Sequence, residues 1–247
     1  MTVLVAALLL ALPSQGQESA EELSDRGGQK IQSGDLRGGI EDLEAAIKLD
    51  PNYDKAHFNK GTAHYSLNEI DEAVKSFSEA IKANPLNEQA YYYRAYINYT
   101  SGNLNEALKD YRQLISMDSE NEEYYNNTAR IYIGLDDYDN AISTYDQQIQ
   151  VNPDNHVAYF NRGSTKQNHH DYEEAIEDYN KAIELNPNYA VAYANRGFAK
   201  INLYTSKGHL KLSEEESKSP CSDLKKANDL GDNSIGTTDM LFIYCKD

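Results

Sequence analysis

Four prolines set the frame of this chain. Pro51, Pro85, Pro153 and Pro187 stand 34 residues apart or twice that, with Ser119 at the skipped place. A fixed period of this length marks a stacked helical repeat, because one such unit cannot bury its apolar face alone. Other columns keep the same register. Leu43, Phe77, Tyr111, Tyr145 and Tyr179 lie eight residues before the proline column, and Ile47, Ile81, Ile115, Ile149 and Ile183 lie four before it. Gly39, Ala73, Ala107, Ala141 and Ala175 lie twelve before, and Gly27, Gly61, Ala95, Ala129 and Gly163 lie twenty-four before. Chance does not align so many columns over five repeats.

The pattern within one period predicts two antiparallel helices. In repeat two, residues 54–87, the first runs from about Lys55 to Leu67 and the second from Ile70 to Ala83, with Asn68-Glu69 between them. Position 16 of the repeats holds Asp35, Glu69, Asn103, Asp137 and Asp171. Four of these five have side chains suited to capping the second helix. The prolines stop that helix, since a residue before proline avoids the α region. The small residues at positions 8 and 20 let the two helices approach closely. Bulky residues such as Tyr172, Tyr179 and Ile183 fill the seam between them.

These columns resemble the tetratricopeptide repeat family. Tyr159, Gly163, Ala175, Tyr179, Ala182 and Pro187 sit at its signature positions, as do Gly61, Ala73, Phe77, Ala80 and Pro85. The resemblance runs from Ala20 to about Leu230. It implies an all-α fold, a right-handed α-solenoid of stacked antiparallel helix pairs. Repeats are expected at 20–53, 54–87, 88–121, 122–155, 156–189 and 190–233, with a capping helix at 234–247. Ala95, Leu114, Ser119 and Gln148 depart from the family pattern, which bears on local packing. In the sixth repeat Asp223-Leu224-Lys225-Lys226-Ala227 matches Asp178-Tyr179-Asn180-Lys181-Ala182 after 45 residues instead of 34. Eleven residues are thus inserted near 207–219, and the polar run Glu214–Ser219 reads as a loop. The last segment carries Met240, Leu241, Ile243 and Tyr244, as a cap over an exposed end requires.

The resemblance also implies a partner-binding groove, lined by first-helix positions on the concave face. Carried over residue by residue, these are Phe58, Thr62 and Tyr65 in repeat two, and Tyr92, Tyr96 and Tyr99 in repeat three. Repeat four gives Asn126 and Arg130, repeat five Phe160, Ser164 and Asn168, and repeat six Phe198 and Asn202. The trough is aromatic and weakly polar, and tyrosine joins a rigid apolar body to a hydroxyl. Packing between neighbouring repeats is the alternative role for these aromatics. The family's carboxylate clamp, Lys and Asn at positions 5 and 9, is replaced by Ser24 and Gly28 or Phe58 and Thr62, which disfavours a chaperone-tail adaptor.

Composition narrows the function further. There are 23 Lys and Arg against 40 Asp and Glu, a formal charge of −17. Nucleic-acid binding is disfavoured, because phosphate contacts need a basic footprint. The balance would attract a basic partner. No phosphate-binding glycine loop, nucleophile elbow or His-Glu-x-x-His pair occurs, so no catalytic residue, cofactor or metal is expected. His169-His170-Asp171 falls at an interhelical turn, where adjacent side chains diverge. His57 and His64 point inward and read as hydrogen-bonded packing residues. The Asn98 and Asn126 glycosylation patterns fall inside first helices, where a glycan would clash. The expected function is therefore a non-enzymatic interaction module or scaffold for an extended peptide or partner protein. Its alternatives are a carbohydrate- or envelope-binding accessory factor and, more remotely, a subunit of an enzyme whose catalytic part lies on another chain.

The two ends predict location and a crosslink. Val3–Leu12 is an unbroken apolar run, too short to span a bilayer. Pro13-Ser14-Gln15-Gly16 follows, with small residues at −3 and −1 of a cut after Gly16. Residues 1–16 therefore read as a secretory signal peptide, although no basic residue precedes the apolar run. Export to a periplasmic or extracellular space is expected, with no membrane insertion after cleavage. Cys221 and Cys245 are the only cysteines. Cys221 is placed at the start of the last second-type helix, which would run to about Leu230 before the chain turns and returns to Cys245. Antiparallel helices bring those two positions to one level, so a disulfide is expected, two buried thiols being the alternative.

Overall fold

The computed structural model describes residues 18–209 and 211–245 of the 247-residue chain. The expected signal segment, residues 1–16, lies outside them. The described residues hold thirteen α-helices and no strand. They are α1 (Ala20–Gln32), α2 (Leu36–Leu49), α3 (Asp54–Ser66), α4 (Ile70–Ala83), α5 (Glu88–Thr100), α6 (Leu104–Met117), α7 (Glu122–Gly134), α8 (Tyr138–Val151), α9 (His156–Asn168), α10 (Tyr172–Leu185), α11 (Ala190–Ser206), α12 (Glu214–Asp229) and α13 (Ile235–Tyr244). The chain forms two compact units, Met1–Ile97 and Asn98–Asp247, divided within α5. None of the described helices is long and apolar enough to cross a membrane.

Local chemistry sets both ends of each pair. Position 15, between the two helices, has a left-handed backbone: φ is 93° at Gly34, 60° at Asn68, 80° at Gly102, 58° at Asp136 and 71° at His170. Glycine, Asn and Asp tolerate this region best, so the turn column holds them in four of five repeats. His170 is the exception in that column and occupies the interhelical turn of repeat five. At the far end Asp50, Asn84, Asn152 and Asn186 leave the helix in extended conformation before their prolines, and Asp118 does the same before Ser119. Position 16 caps less uniformly than expected. Asp35 accepts from Gly38 and Asp137 from Asn140. Glu69, Asn103 and Asp171 make no capping bond. Glu69 is held by Arg37 and His64, and Asp171 by the His169 ring.

Within the first unit, close approach at the small columns builds the core. A methyl group at Gly27 would lie 2.9 Å from the Gly39 carbonyl oxygen and 2.9 Å from Leu43 Cγ. Phe77 is fully buried opposite Gly61 and stacks on Tyr93, with ring centroids 5.5 Å apart. In the second unit Tyr145 and Tyr179 fill the equivalent place. Burial pushes the Tyr145 hydroxyl up to about 12 and raises Tyr179 as well. The Tyr179 hydroxyl donates to Gln167. Gln148, at the column where Ala46, Ala80 and Ala182 sit, is buried with neither amide atom partnered.

The sixth repeat corrects one expectation. Glu214–Ser219 is helical, not a loop. Ser213 and Glu216 form a reciprocal capping box, and three glutamates favour the positive end of α12. Relative to repeat five, four of the inserted residues lengthen α11, four lengthen the connection, and three extend α12 backwards. Cys221 consequently lies well inside α12 and not at its start. Its topological relation to Cys245 is nonetheless the expected one, with a sulfur–sulfur distance of 2.03 Å and a Cα separation of 5.4 Å. Met240, Leu241 and Tyr244 of α13 pack on the cluster of Ile201, Leu212 and Leu224.

Candidate functional site

The expected groove residues divide by environment. In the first unit Phe58 is half-buried against Phe77 and Tyr93, at 5.7 and 5.8 Å between centroids, so it serves the interhelical seam. Thr62 donates its hydroxyl to the Asn59 carbonyl. Tyr65, Tyr92 and Tyr96 share a rim around Tyr93: Tyr65 and Tyr92 meet its ring edge-on at 6.4 and 6.1 Å. Burial, and then the neighbouring Tyr96 hydroxyl, raise the Tyr65 pKa. Tyr96 is 40% exposed.

In the second unit the Arg130 guanidinium lies over the Tyr99 ring, 5.8 Å from its centroid. Asn126 accepts from Asn161 at 3.1 Å. Phe160 packs between Tyr179 and Tyr189, at 5.8 and 5.2 Å, and is a seam residue like Phe58. Ser164 hydrogen-bonds Tyr179, and Asn168 is exposed. Phe198 is covered by the C-terminal helix, its ring 3.6 Å from where a side chain at Gly236 would begin. Asn202 is half-buried. Of the expected groove aromatics only Tyr96 is exposed; Tyr65, Tyr92, Tyr99 and the three phenylalanines are half-buried.

The histidines are occupied structurally. His57 Nε2 lies 2.9 Å from the Pro51 carbonyl oxygen and His64 Nδ1 2.7 Å from Glu69. No group of three or more metal-ligating side chains occurs among the described residues. Asn98 is buried.

One recurrent arrangement was not anticipated from the sequence. On the face of α1, α9 and α11 away from the groove positions, an arginine at position 7 and a lysine at position 11 grip a buried aspartate of the second helix. Arg26 donates to both oxygens of Asp42, at 2.9 and 2.7 Å, and Lys30 lies at 2.7 Å. Arg162 and Lys166 hold Asp178, and Arg196 and Lys200 hold Asp223, in the same way. The position-7 side chain also reaches the preceding repeat: Lys60 to Glu44, Arg94 to Ser78, Arg162 to Asp146, Arg196 to Asn180. Arg26, by its hydrogen bonds, holds the Asp42 carboxyl down at about 2. The signal was present in the sequence as Arg-x-x-x-Lys followed by Asp sixteen residues after the arginine, in register in repeats one and five.

Comparisons with known proteins agree with this architecture. Family models described as tetratricopeptide repeat match residues 59–122, 122–155 and 156–189, and a further one described as TPR repeat matches 27–68. Among curated proteins no relative matches the chain. A tetratricopeptide repeat protein from Parabacteroides merdae superposes with a TM-score of 0.58 at 23% identity, over 93% of this chain and 100% of that one. YrrB, described as a TPR protein with an unusual peptide-binding site, gives 0.58 at 19% identity, over 80% of this chain and 96% of its own. MamA gives 0.53 at 22% identity, over 64% and 93%. At these identities the likeness speaks for the fold, an all-α tetratricopeptide solenoid.

Proposed function

From the premise that the chain belongs to the tetratricopeptide repeat family, we propose that it is a non-enzymatic scaffold that binds an extended peptide or partner protein along its first-helix face. The observation that carries this reading is the tyrosine rim of the first unit. Tyr65, Tyr92 and Tyr96 present hydroxyls beside apolar rings, and Tyr96 is substantially exposed. Such side chains bury large area at small conformational cost and satisfy peptide N–H and C=O groups. The peptide-binding site of YrrB supports the class of ligand. The net charge of −17 favours a basic peptide through long-range attraction.

We also propose export, on the apolar run and small-residue cleavage pattern of residues 1–16, with the mature chain beginning near Gln17. Amino-terminal sequencing of native material tests this: an intact Met1 in a cytosolic fraction refutes it. The binding reading is tested by crosslinking and capture from the native compartment, followed by Tyr92→Ala and Tyr96→Ala. Truncating a hot-spot aromatic costs about 2 kcal/mol or more of binding. Weakened binding with an unchanged helical circular-dichroism spectrum supports the rim as the site. Unchanged binding, or loss of the fold, removes it.

A further inference from the structure

The fourth repeat breaks the acid–base lattice, and the break opens a cavity. At positions 7, 11 and 23, where repeats one, five and six have Arg, Lys and Asp, repeat four has Thr128, Tyr132 and Thr144. A cavity of about 330 Å³ occupies the space, between α6 and α8 with α7 as its floor. A second hollow of about 470 Å³ adjoins it around Asn105 and Lys109, sharing Arg112, Ser116 and Tyr132. Thr128 and Tyr132 lie two residues beyond Asn126 and Arg130, about 200° round the helix at 3.6 residues per turn, so this cleft is on the opposite face of α7 from the expected groove. Its ligand is independent of the peptide reading.

The lining has a definite chemistry. The chain carries 40 acidic residues, yet neither cavity is lined by Asp or Glu. Arg112, at the position where the preceding repeat elsewhere offers Glu44, Asp146 or Asn180, has no ion-pair or hydrogen-bond partner among the described residues, and Lys109 lies one turn away. The remaining polar groups divide: the Ser143 and Tyr132 hydroxyls and the Gln147, Gln113 and Asn105 amides can donate or accept, while four others only accept. Thr128 and Thr144 spend their hydroxyl protons on the carbonyls of Tyr124 and Asn140, at 2.7 and 2.8 Å, so towards a ligand their oxygens can only accept. Ser116 spends its proton on Gln113, and the Asn140 amide donates to Asp137 and keeps its oxygen free.

An anion with at most one or two donors of its own, such as hydrogen phosphate or an ionised acidic side chain, would meet Arg112 but leave most of those lone pairs unpaired. A carboxylate that also carries several hydroxyl donors satisfies both. We propose that this cleft binds an acidic saccharide, with a uronic-acid carboxylate on Arg112 and the ring hydroxyls donating to Thr128, Thr144 and Asn140. The volume suits one sugar ring, and the adjoining hollow, with Lys109, suits a second uronate.

Titration calorimetry of the full chain tests the proposal with tri-galacturonate, a neutral glucose trimer, inorganic phosphate and an Asp/Glu hexapeptide. Binding of tri-galacturonate, with at least about tenfold weakening by Arg112→Gln and a smaller loss by Thr144→Val, is the expected result, since a charge-assisted bond to Arg112 is removed. Arg112 is exposed and unpaired, so its replacement leaves the helical spectrum intact. Absence of tri-galacturonate binding, equal binding of the neutral trimer, tighter binding of phosphate or the acidic peptide, or indifference to Arg112→Gln would each overturn it.

Discussion

The buried aspartates at position 23 illustrate how a single residue ties two helices together. Asp178 is 4% exposed and accepts from Arg162 and Lys166. Removing one partner of a buried pair leaves the other charge uncompensated, at a cost of about 3–5 kcal/mol. Asp178→Ala should therefore lower the urea midpoint of the second unit far more than Glu184→Ala, whose Lys181 pair is exposed. Asp42 makes the same contacts in the first unit, and its pKa falls to about 2 because Arg26 hydrogen-bonds it. A carboxyl whose folded pKa is depressed adds stability above its unfolded value, about 3.9, which is lost as pH falls towards the folded value. Stability should thus decline between about pH 4 and pH 2, and Asp42→Asn should flatten that decline. An unaltered acid-unfolding profile in the variant would show the contact to be idle.

Whole helices are placed by what their small columns permit. Gly61 is helical and needs no special backbone angle; it is small because Phe77 fills the space opposite. A methyl there would sit 2.7 Å from the ring, whereas at Gly163 the nearest atoms are 3.1 Å away. Overpacking costs about 1–3 kcal/mol, so Gly61→Ala should destabilise clearly and Gly163→Ala less, as read from thermal melts. At the other end α13 is short, and Ile235, Phe242 and Ile243 are largely exposed. Closing a loop of 24 residues adds on the order of 3 kcal/mol in the chain-entropy model. Cys221→Ser with Cys245→Ser should release α13 first, seen as faster amide exchange in residues 235–244 with little change in α9 and α10. Two alkylatable thiols in freshly isolated native protein would refute the crosslink.

For the whole molecule, the terminal cap decides whether the array ends cleanly. Phe198, Ile201 and Leu224 lie under Met240, Leu241 and Tyr244. A chain ending before Ser234 would expose that cluster and should self-associate in size-exclusion chromatography; a monodisperse truncated chain would make the cap dispensable. The 34-residue period by itself determined the helix pairs, their turns and their small-against-large seam, because those depend on local backbone geometry and on residues repeating in one register. The reach of α12 back to Glu214 was missed because a polar, capped first turn carries no apolar periodicity. Which polar groups meet was decided only in three dimensions. Arg162 finds Asp178 in its own repeat and Asp146 in the one before, both sixteen residues away in opposite directions. Phe58 and Tyr96, both at expected groove positions, part company for the same reason: a helix face has no fixed width, and the neighbouring helices determine how much of it stays open.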